Sequence, residues 1–463
     1  MADCDVVVVG GGISGLVAAH RLVRSGFDVQ VIEAASRAGG LIGTETVQGV
    51  LYERGPNSIL DTSSRIGELL EDLGIRTERI EVNPSSMKRF ILRDGRLVAL
   101  PTTLPAFFNT ALFSRSARLR VLAEPVIARA PPGTEESVAQ FVERRLGREF
   151  LDYAIEPFVA GIYAGDPARL SLEAAFPRLH ALERRYGSLI TGQVLGARKR
   201  ARPSKRAAKG FSFRKGLQTL PDALAAALPK LRLNTALTAL ARDNGGRFTI
   251  TAHNAGDEIR QTARAVVLAI PADSAARLMR HSVPDAAAAL SEIPYAPVAS
   301  VTTAYRRSDI PHPLDGFGFL VPRREQRRIL GTLFSSTMFD GRCARDEAVL
   351  TTYLGGERAP QLVSLSETEL TEIVHEELAS LLGARARPLF AAVSRWARAI
   401  PQYNLGHLER IRRAGRAESE LSGLFLCGAY RGGVAVGDCI SSAHDTAAAV
   451  ARHLDPGIAG AAR

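Results

Sequence analysis

The 463-residue chain has four cysteines, four methionines and a single tryptophan, and its 48 acids fall short of its 59 lysines and arginines. Cys4, Cys343, Cys427 and Cys439 make no C-x-x-C pair and no zinc spacing, which excludes a disulfide scaffold and a structural zinc site. A reducing compartment fits, with the thiols acting as small buried hydrophobes. No metal site is expected. No apolar run approaches the roughly 18 residues of a membrane span, and no basic n-region precedes the first apolar stretch, so neither a transmembrane helix nor a signal peptide is expected. Aromatics make up only 6% and do not interleave with the basic runs, so nucleic acid is not an expected partner despite the net charge of +11. Acidic lipid and a carboxylate-bearing substrate remain. The length suggests two or three domains, and the 46% hydrophobic content is that of a globular protein with a full core.

What is present is concentrated first between Val6 and Gly40. Val6 to Val9 is a β-branched run of the kind buried on both faces of a parallel sheet. Gly10, Gly12 and Gly15 complete G-x-G-x-x-G around Ile13 and Ser14, and Leu16, Ala19, Leu22 and Val23 continue at helical spacing. In such a unit the first glycine makes the turn, the second lets the backbone approach a pyrophosphate, and the third lets the helix pack on the strand. The pyrophosphate sits on free N–H groups at the helix N-terminus. A second strand, Val29 to Ile32, ends at Glu33, where a carboxylate accepts hydrogen bonds from a ribose diol. Strand, helix, strand and acid in this order predict a dinucleotide cofactor. Arg37-Ala38-Gly39-Gly40 then resembles the second fingerprint of the FAD-dependent amine oxidase and phytoene desaturase superfamily, in which it continues the diphosphate cradle, so the resemblance selects FAD over NAD.

Further along, Gly55-Pro56-Asn57-Ser58 reads as a turn whose backbone faces something flat. Ile66 to Leu73 is a short helix stopped by Gly74, and Met87 to Pro101 two strands around an Asp94-Gly95 hairpin turn. Arg89 lies on the first of these strands, either as a snorkelling edge residue or as a ligand group. Pro101 to Ala130 mixes Leu104, Phe107, Phe108, Leu112 and Phe113 with Arg115, Arg118 and Arg120, which suits either a membrane-surface segment or a core helix with a basic rim. Helical spacing continues from Val138 to Leu151, and Phe158 to Pro167 reads as a glycine-rich loop. The basic run Arg198 to Lys215 reads as a solvated loop able to meet anionic lipid. Strands are predicted at Leu231–Leu240, Phe248–Ala252 and Ala265–Pro271, then repeatedly from Val298 to Leu354, with a helix over Glu367–Leu382. Leu424 to Val450 is strand, glycine loop and helix, a second N-terminus aimed at the cofactor.

EAASRAGG, GPNS, MKRF, FVAGIYAGDP, FRKGLQTLP, GFGFLVP, LGTLFSS, RWARAIPQYNLGH and GAYRGGVAVG together make the chain similar to the oxygen-dependent protoporphyrinogen IX oxidase family over nearly its whole length. The resemblance implies an α/β fold: a discontinuous Rossmann-like FAD domain, a mixed α+β substrate domain, and an inserted helical membrane-binding domain. The corresponding spans are 1–85, 209–272 and 389–463 for FAD, 86–98 and 273–388 for substrate, and 99–208 for the membrane.

It also implies site residues. Glu33 and Ala34 meet the adenosine ribose, and Gly10, Gly12, Ile13, Ser14 and Gly15 with Arg37, Gly40 and Leu41 hold the diphosphate. The Leu237 backbone meets adenine, although many relatives carry valine there. Gly55, Pro56, Asn57 and Ser58 run beside the flavin ring, and Trp396, Gly428, Ala429, Val434 and Val436 cover its side. Arg89 pairs with a substrate propionate, and Asn57, Gly161, Leu320, Leu333 and Tyr353 wall the pocket, although the family often has phenylalanine at the last. No general base is identified. FAD is expected to be non-covalent, since no histidine or cysteine lies in a flavinylation motif. The implied partners are a porphyrinogen, molecular oxygen, an anionic membrane surface and the next enzyme of haem synthesis. The implied location is cytoplasmic, on the inner face of the cell membrane. A single cation against an apolar wall favours protoporphyrinogen IX, with coproporphyrinogen III, an amine substrate, and a non-catalytic flavin-bearing membrane adaptor as alternatives.

Overall fold

A computed structural model describes residues 2–131, 133–199 and 209–456. The centre of the basic run, residues 200–208, lies outside them. Among the described residues a seven-stranded sheet carries the fingerprint. Cys4–Val9 pairs in parallel with Val29–Ile32 on one side and with the C-terminal half of Asp257–Leu268 on the other, and Leu424–Leu426 also joins Asp257–Leu268 in parallel. Val6 and Val8 enter one core cluster and Val7 and Val9 the other, so this strand is buried on both faces, as its β-branched run requires. The sheet is mixed, however, because Thr235–Arg242 and Phe248–Asn254 extend it as antiparallel strands. The strand expected over Leu231–Leu240 is two strands. Asn234, at φ 51°, turns the chain there and donates its N–H to the Ala35 carbonyl, ending the parallel pairing with Val29–Ile32.

A second seven-stranded sheet runs in the order Phe390–Pro401, Tyr295–Arg306, Glu347–Gly355, Gly331–Leu333, Gly318–Leu320, Arg89–Arg93, Arg96–Ala99. Phe90, Leu92, Val301, Phe319, Leu350 and Leu354 bury one face against the helix Glu367–Leu382. On the opposite face Ile91 packs with Leu112, Phe113 and Tyr153, Val298 with Ala160 and Ala164, and Val349 with Val50, while Leu320, Leu333, Tyr353 and Trp396 are only partly covered. Since Phe390–Pro401 pairs with Tyr295–Arg306, this sheet runs past residue 388, the expected boundary.

Between the sheets the chain forms mostly short helices from Leu104–Asn109 to Leu189–Lys199. The segment read as a glycine-rich loop is helical over Glu156–Tyr163 and turns only at Ala164, φ 48°. Gly161 belongs to that helix because its missing Cβ makes room for a neighbour: a Cβ there would lie 2.9 Å from Leu320 Cδ2. The expected helical continuity to Leu151 breaks at Gly147, φ 92°. Leu112 and Phe113 of the arginine-rich segment are buried in the protein, so they do not belong to a lipid-facing stripe. Leu104, Phe108, Leu119, Leu122 and Val126 are exposed. Inside the lobe Arg145 is fully buried, donating to Glu183 at 2.8 Å and to Glu124 at 3.1 Å. Glu124 in turn accepts the N–H groups of Leu189 and Ile190.

Candidate cofactor and substrate site

Gly10, at φ 108°, turns the chain out of the first strand, and Gly12 is the N-cap of the helix Ile13–Arg24. No side chain caps this helix, and no acid lies in its first turn, so its leading N–H groups face outward unneutralised. A Cβ on Gly15 would lie 1.9 Å from the Gly10 carbonyl oxygen, whereas one on Gly12 meets no protein atom within 4 Å. Gly15 therefore closes helix on strand, and Gly12 leaves open the space in front of the N–H groups. Glu33 lies at the adjoining strand end, accepting Gly11 N–H at 2.5 Å and Ala35 N–H at 2.7 Å. Thr235 donates its N–H to the Glu33 carbonyl, which brings Leu237, two residues on, to the same end.

The second fingerprint lies directly against the first. Gly12 and Gly39 form a parallel bridge, and Gly39 N–H donates to the Gly11 carbonyl at 2.8 Å. Arg37 shapes this loop from within: Nη1 donates to the carbonyls of Ile42 at 2.6 Å and Ala38 at 3.3 Å, and Nη2 to that of Gly40 at 2.8 Å. Both terminal nitrogens are thereby engaged, which makes Arg37 a brace of the cradle. Gln218 completes the brace, donating to the Ala38 carbonyl and accepting from Arg37. Ala34 and Leu41 are exposed along the cradle rim. A Cβ on Gly55 would lie 2.2 Å from the Leu41 carbonyl oxygen, so the Gly55-Pro56-Asn57-Ser58 loop is pressed onto this rim.

From the other side, Leu424–Leu426 leads into Gly428, φ 145°, and then into the helix Val436–Leu454, whose N-cap Ala435 also lacks a capping side chain. Ile440, Ala443 and Ala447 of this helix pack with Leu16 and Ala19 of the fingerprint helix. The second helix carries Asp438 in its first turn, so the unneutralised N-terminus is that of Ile13–Arg24, and there the residues present fit a dinucleotide diphosphate.

The free face of the second sheet follows from register. Arg89 is opposite Gly318, Gly318 opposite Leu333, and Leu333 opposite Thr351. Two residues along, Ile91, Leu320, Gly331, Tyr353 and Ser300 form the next row, and Trp396 lies on the same face of the outer strand. The period of two places Arg89, Leu320, Leu333, Tyr353 and Trp396 on one wall, opposite to the helix-packed face. Asn57 joins the wall to the cofactor loop, donating from Nδ2 to the Tyr353 hydroxyl at 2.5 Å and to the Gly55 carbonyl at 3.2 Å. Trp396 Nε1 donates to the Arg54 carbonyl at 2.9 Å. Burial holds the Tyr353 phenol well above its ordinary range, so it stays protonated. Arg89 is exposed at the rim, 5.2 Å from the Phe317 ring centroid, and has no carboxylate partner among the described residues. It is a cation held beside the wall without a counter-charge.

Four groups escaped sequence reasoning. Glu53 is buried, accepting from Thr44 at 2.5 Å and from Leu217 N–H at 2.9 Å, and burial raises its carboxyl to about 7. Arg342, equally buried, lies 3.8 Å from it. Tyr403 and His407 stack at 4.1 Å beside the 428–436 loop. The motif RWARAIPQYNLGH contains the last two, but nothing in its spacing shows what they touch.

The twin-fingerprint cradle facing a separate sheet defines a flavin-dependent oxidoreductase. The family model "Flavin containing amine oxidoreductase" matches residues 13–451, and the chain belongs to that family. Within it the chain is one of the protoporphyrinogen oxidase relatives. It is 36% identical over 477 residues to the chloroplastic protoporphyrinogen oxidase of Nicotiana tabacum, covering 98% of this chain and 86% of that one. It is also 28% identical to the coproporphyrinogen III oxidase of Bacillus subtilis, covering 94% and 95% of the two chains. A solved Exiguobacterium chain, provisionally named a protoporphyrinogen oxidase, superposes with TM-score 0.82 at 28% identity, covering 97% of this chain and 99% of that one. A putrescine oxidase, at TM-score 0.70 and 20% identity, shares the fold. FAD is the cofactor this family carries.

Proposed function

We propose that the chain oxidises protoporphyrinogen IX to protoporphyrin IX in haem biosynthesis, with molecular oxygen as terminal acceptor and hydrogen peroxide as by-product. The bound FAD supplies the hydride acceptor. The protein's part is to seat a wide, mostly apolar ring against the flavin. Leu320 and Leu333 provide the flat wall, Gly161 lets the lobe helix close on Leu320, and Asn57 and Tyr353 fix the wall to the cofactor loop. Arg89 holds one propionate at the rim. The wall residues Arg89, Ile91, Leu320, Leu333, Tyr353, Ser300 and Trp396 include no carboxylate and no imidazole. The observation that carries the reading is this one-faced wall with its single unpaired cation, in a chain whose plant relatives are named for protoporphyrinogen oxidation.

The second reading is coproporphyrinogen III, favoured by the Bacillus subtilis relative. That substrate has four propionates, protoporphyrinogen two, with vinyls replacing the others. Seating extra carboxylates against leucine without partners costs several kcal/mol each, on the order of an unpaired buried charge after relaxation. Vinyl groups instead gain about 25 cal/mol per Å² of buried area. Parallel aerobic assays of porphyrin fluorescence decide between them: faster turnover of protoporphyrinogen IX is expected, and equal or faster turnover of coproporphyrinogen III refutes the substrate assignment. An amine substrate is disfavoured because the strand Tyr295–Arg306 carries no lysine and Gly432 to Ala435 carries no cage aromatic. Turnover with peroxide release also separates an enzyme from a flavin-bearing adaptor.

The helical segment from Leu104 to Lys199 is, in this reading, a peripheral membrane-binding insert. Its support is the exposed Leu104, Phe108, Leu119, Leu122 and Val126 beside exposed Arg115. No helix among the described residues is long and apolar enough to cross a membrane. Attachment at the inner face of the cell membrane, with cytoplasmic access to substrate and to the next haem enzyme, completes the proposal.

A further inference from the structure

We infer that Tyr403, stacked on His407, is a positioning residue that sets the flavin-facing loop Gly428–Val436 and ties it to the helical lobe. The inference rests on the assignment of that loop to FAD.

The Tyr403 hydroxyl donates to the Ala429 carbonyl and accepts the Gly433 N–H at 2.9 Å. One phenol therefore spans the short helix Ala429–Gly432 from beginning to end. The backbone it spans is not self-supporting: Gly428 and Gly433 have φ 145° and 118°, and the helix between them is a single turn with no capping side chain. His407 makes the third tie, with its Nε2 at 2.9 Å from the Tyr430 carbonyl, which fixes Nε2 as the protonated nitrogen. Burial lowers His407 to about 4, so the ring is neutral at working pH. The two rings lie 13° from parallel, so each holds the other's orientation.

The backbone of the same segment faces the lobe. Ser171 N–H donates to the Tyr403 carbonyl at 2.8 Å, Leu405 N–H to the Arg169 carbonyl at 2.8 Å, and Gln402 Nε2 to the Tyr163 carbonyl at 2.8 Å. Tyr403 and Val434 both join the hydrophobic core of the lobe. Residues 402–407 are thus bonded to the lobe through their backbone and the Gln402 amide, and to the cofactor loop through two ring side chains.

Tyr403→Phe removes two hydrogen bonds while keeping the ring and its stack. The FAD dissociation constant, measured by flavin fluorescence on apo-protein, is expected to rise by about tenfold, the effect of one to two buried hydrogen bonds. The visible spectrum and midpoint potential of the bound flavin are expected to shift as well, with KM for porphyrinogen unchanged. His407→Gln, whose amide can still donate to Tyr430, is expected to lie between the parent and His407→Leu. A variant that folds, matches the parent in FAD affinity, spectrum and potential, and differs only in thermal stability overturns the inference. A parent chain that binds no FAD overturns the cofactor assignment and the inference together.

Discussion

Two glycines three residues apart in the fingerprint are expected to fail in opposite ways when given a methyl group. At Gly12 the backbone is extended, φ −71° and ψ 171°, a region open to any residue, and the added Cβ has no protein atom within 4 Å. Replacing glycine by alanine stiffens the unfolded chain, a gain of about 0.4–1 kcal/mol, which offsets the roughly 0.5–1 kcal/mol by which glycine is the better N-cap. Apo-protein stability should hardly move. The methyl does, however, occupy the space before the helix N–H groups. Displacing a diphosphate from one or two charge-assisted hydrogen bonds, each worth about 1.5–3 kcal/mol, weakens FAD by about 3 kcal/mol, roughly a hundredfold. At Gly15 the added Cβ instead lies 1.9 Å from the Gly10 carbonyl oxygen and 3.1 Å from Ala269 Cβ. The helix has to lift by about 1 Å from a packed strand, at a cost of about 1–3 kcal/mol or more, and Tm falls by roughly 1–3 °C or more even without cofactor. The paired assay is thermal unfolding of apo-protein alongside FAD titration. Gly12→Ala binding FAD like the parent, or both variants losing the same Tm, refutes this division of roles.

Arg89→Ala is expected to lower kcat/KM by about ten- to a hundredfold through one lost charge-assisted bond, with normal flavin content; parent-like turnover would make Arg89 an edge residue only. Glu53 carries a pH signature. Its carboxyl is raised in the folded state to about 7 by burial, so the folded protein binds the extra proton between the unfolded value and 7. Its own contribution to stability then falls as pH rises through that window, by on the order of 3 kcal/mol, and levels off above it. Buried, neutral His407 and His444 contribute the opposite slope in parent and variant alike, so denaturant titrations at pH 5 and 8 should show Glu53→Gln gaining stability with pH more steeply than the parent by about that amount; an equal slope in both refutes it. Liposome flotation is expected to be stronger with anionic lipid and weaker in high salt, and Leu119→Asp with Leu122→Asp should abolish it; no flotation with any lipid rejects peripheral attachment.

The cofactor half of the site was legible in the sequence because its chemistry is local. Turn, approach and packing are asked of three glycines within six positions, and the acid follows at the next strand end, so spacing alone specifies the geometry. The lobe was less legible. Leu112 and Phe113 have the composition of a membrane stripe, yet tertiary packing buries them, and Gly161 looks like loop material until Leu320 is brought against it. Glu53 gave no signal at all: its burial depends on Thr44, Leu217 and Arg342, which lie far apart in sequence.

The substrate wall lies between these cases, and the reason is parity. Arg89 lies more than 220 positions before Leu320, Leu333 and Tyr353, and no local pattern relates them. Each strand is only three to nine residues long, yet each alternates between a residue on the helix Glu367–Leu382 and a residue on the free face. Once Phe90 and Phe319 are committed to the core, Arg89 and Leu320 have no choice of side. A one-residue slip of Arg89–Arg93 would put Arg89 in the core and Phe90 on the wall, at the cost of an unpaired buried charge. The apolar core thus enforces the register that puts Arg89 on the face proposed to meet the substrate. The position of the proposed ligand face is thus held by residues on the other side of the sheet.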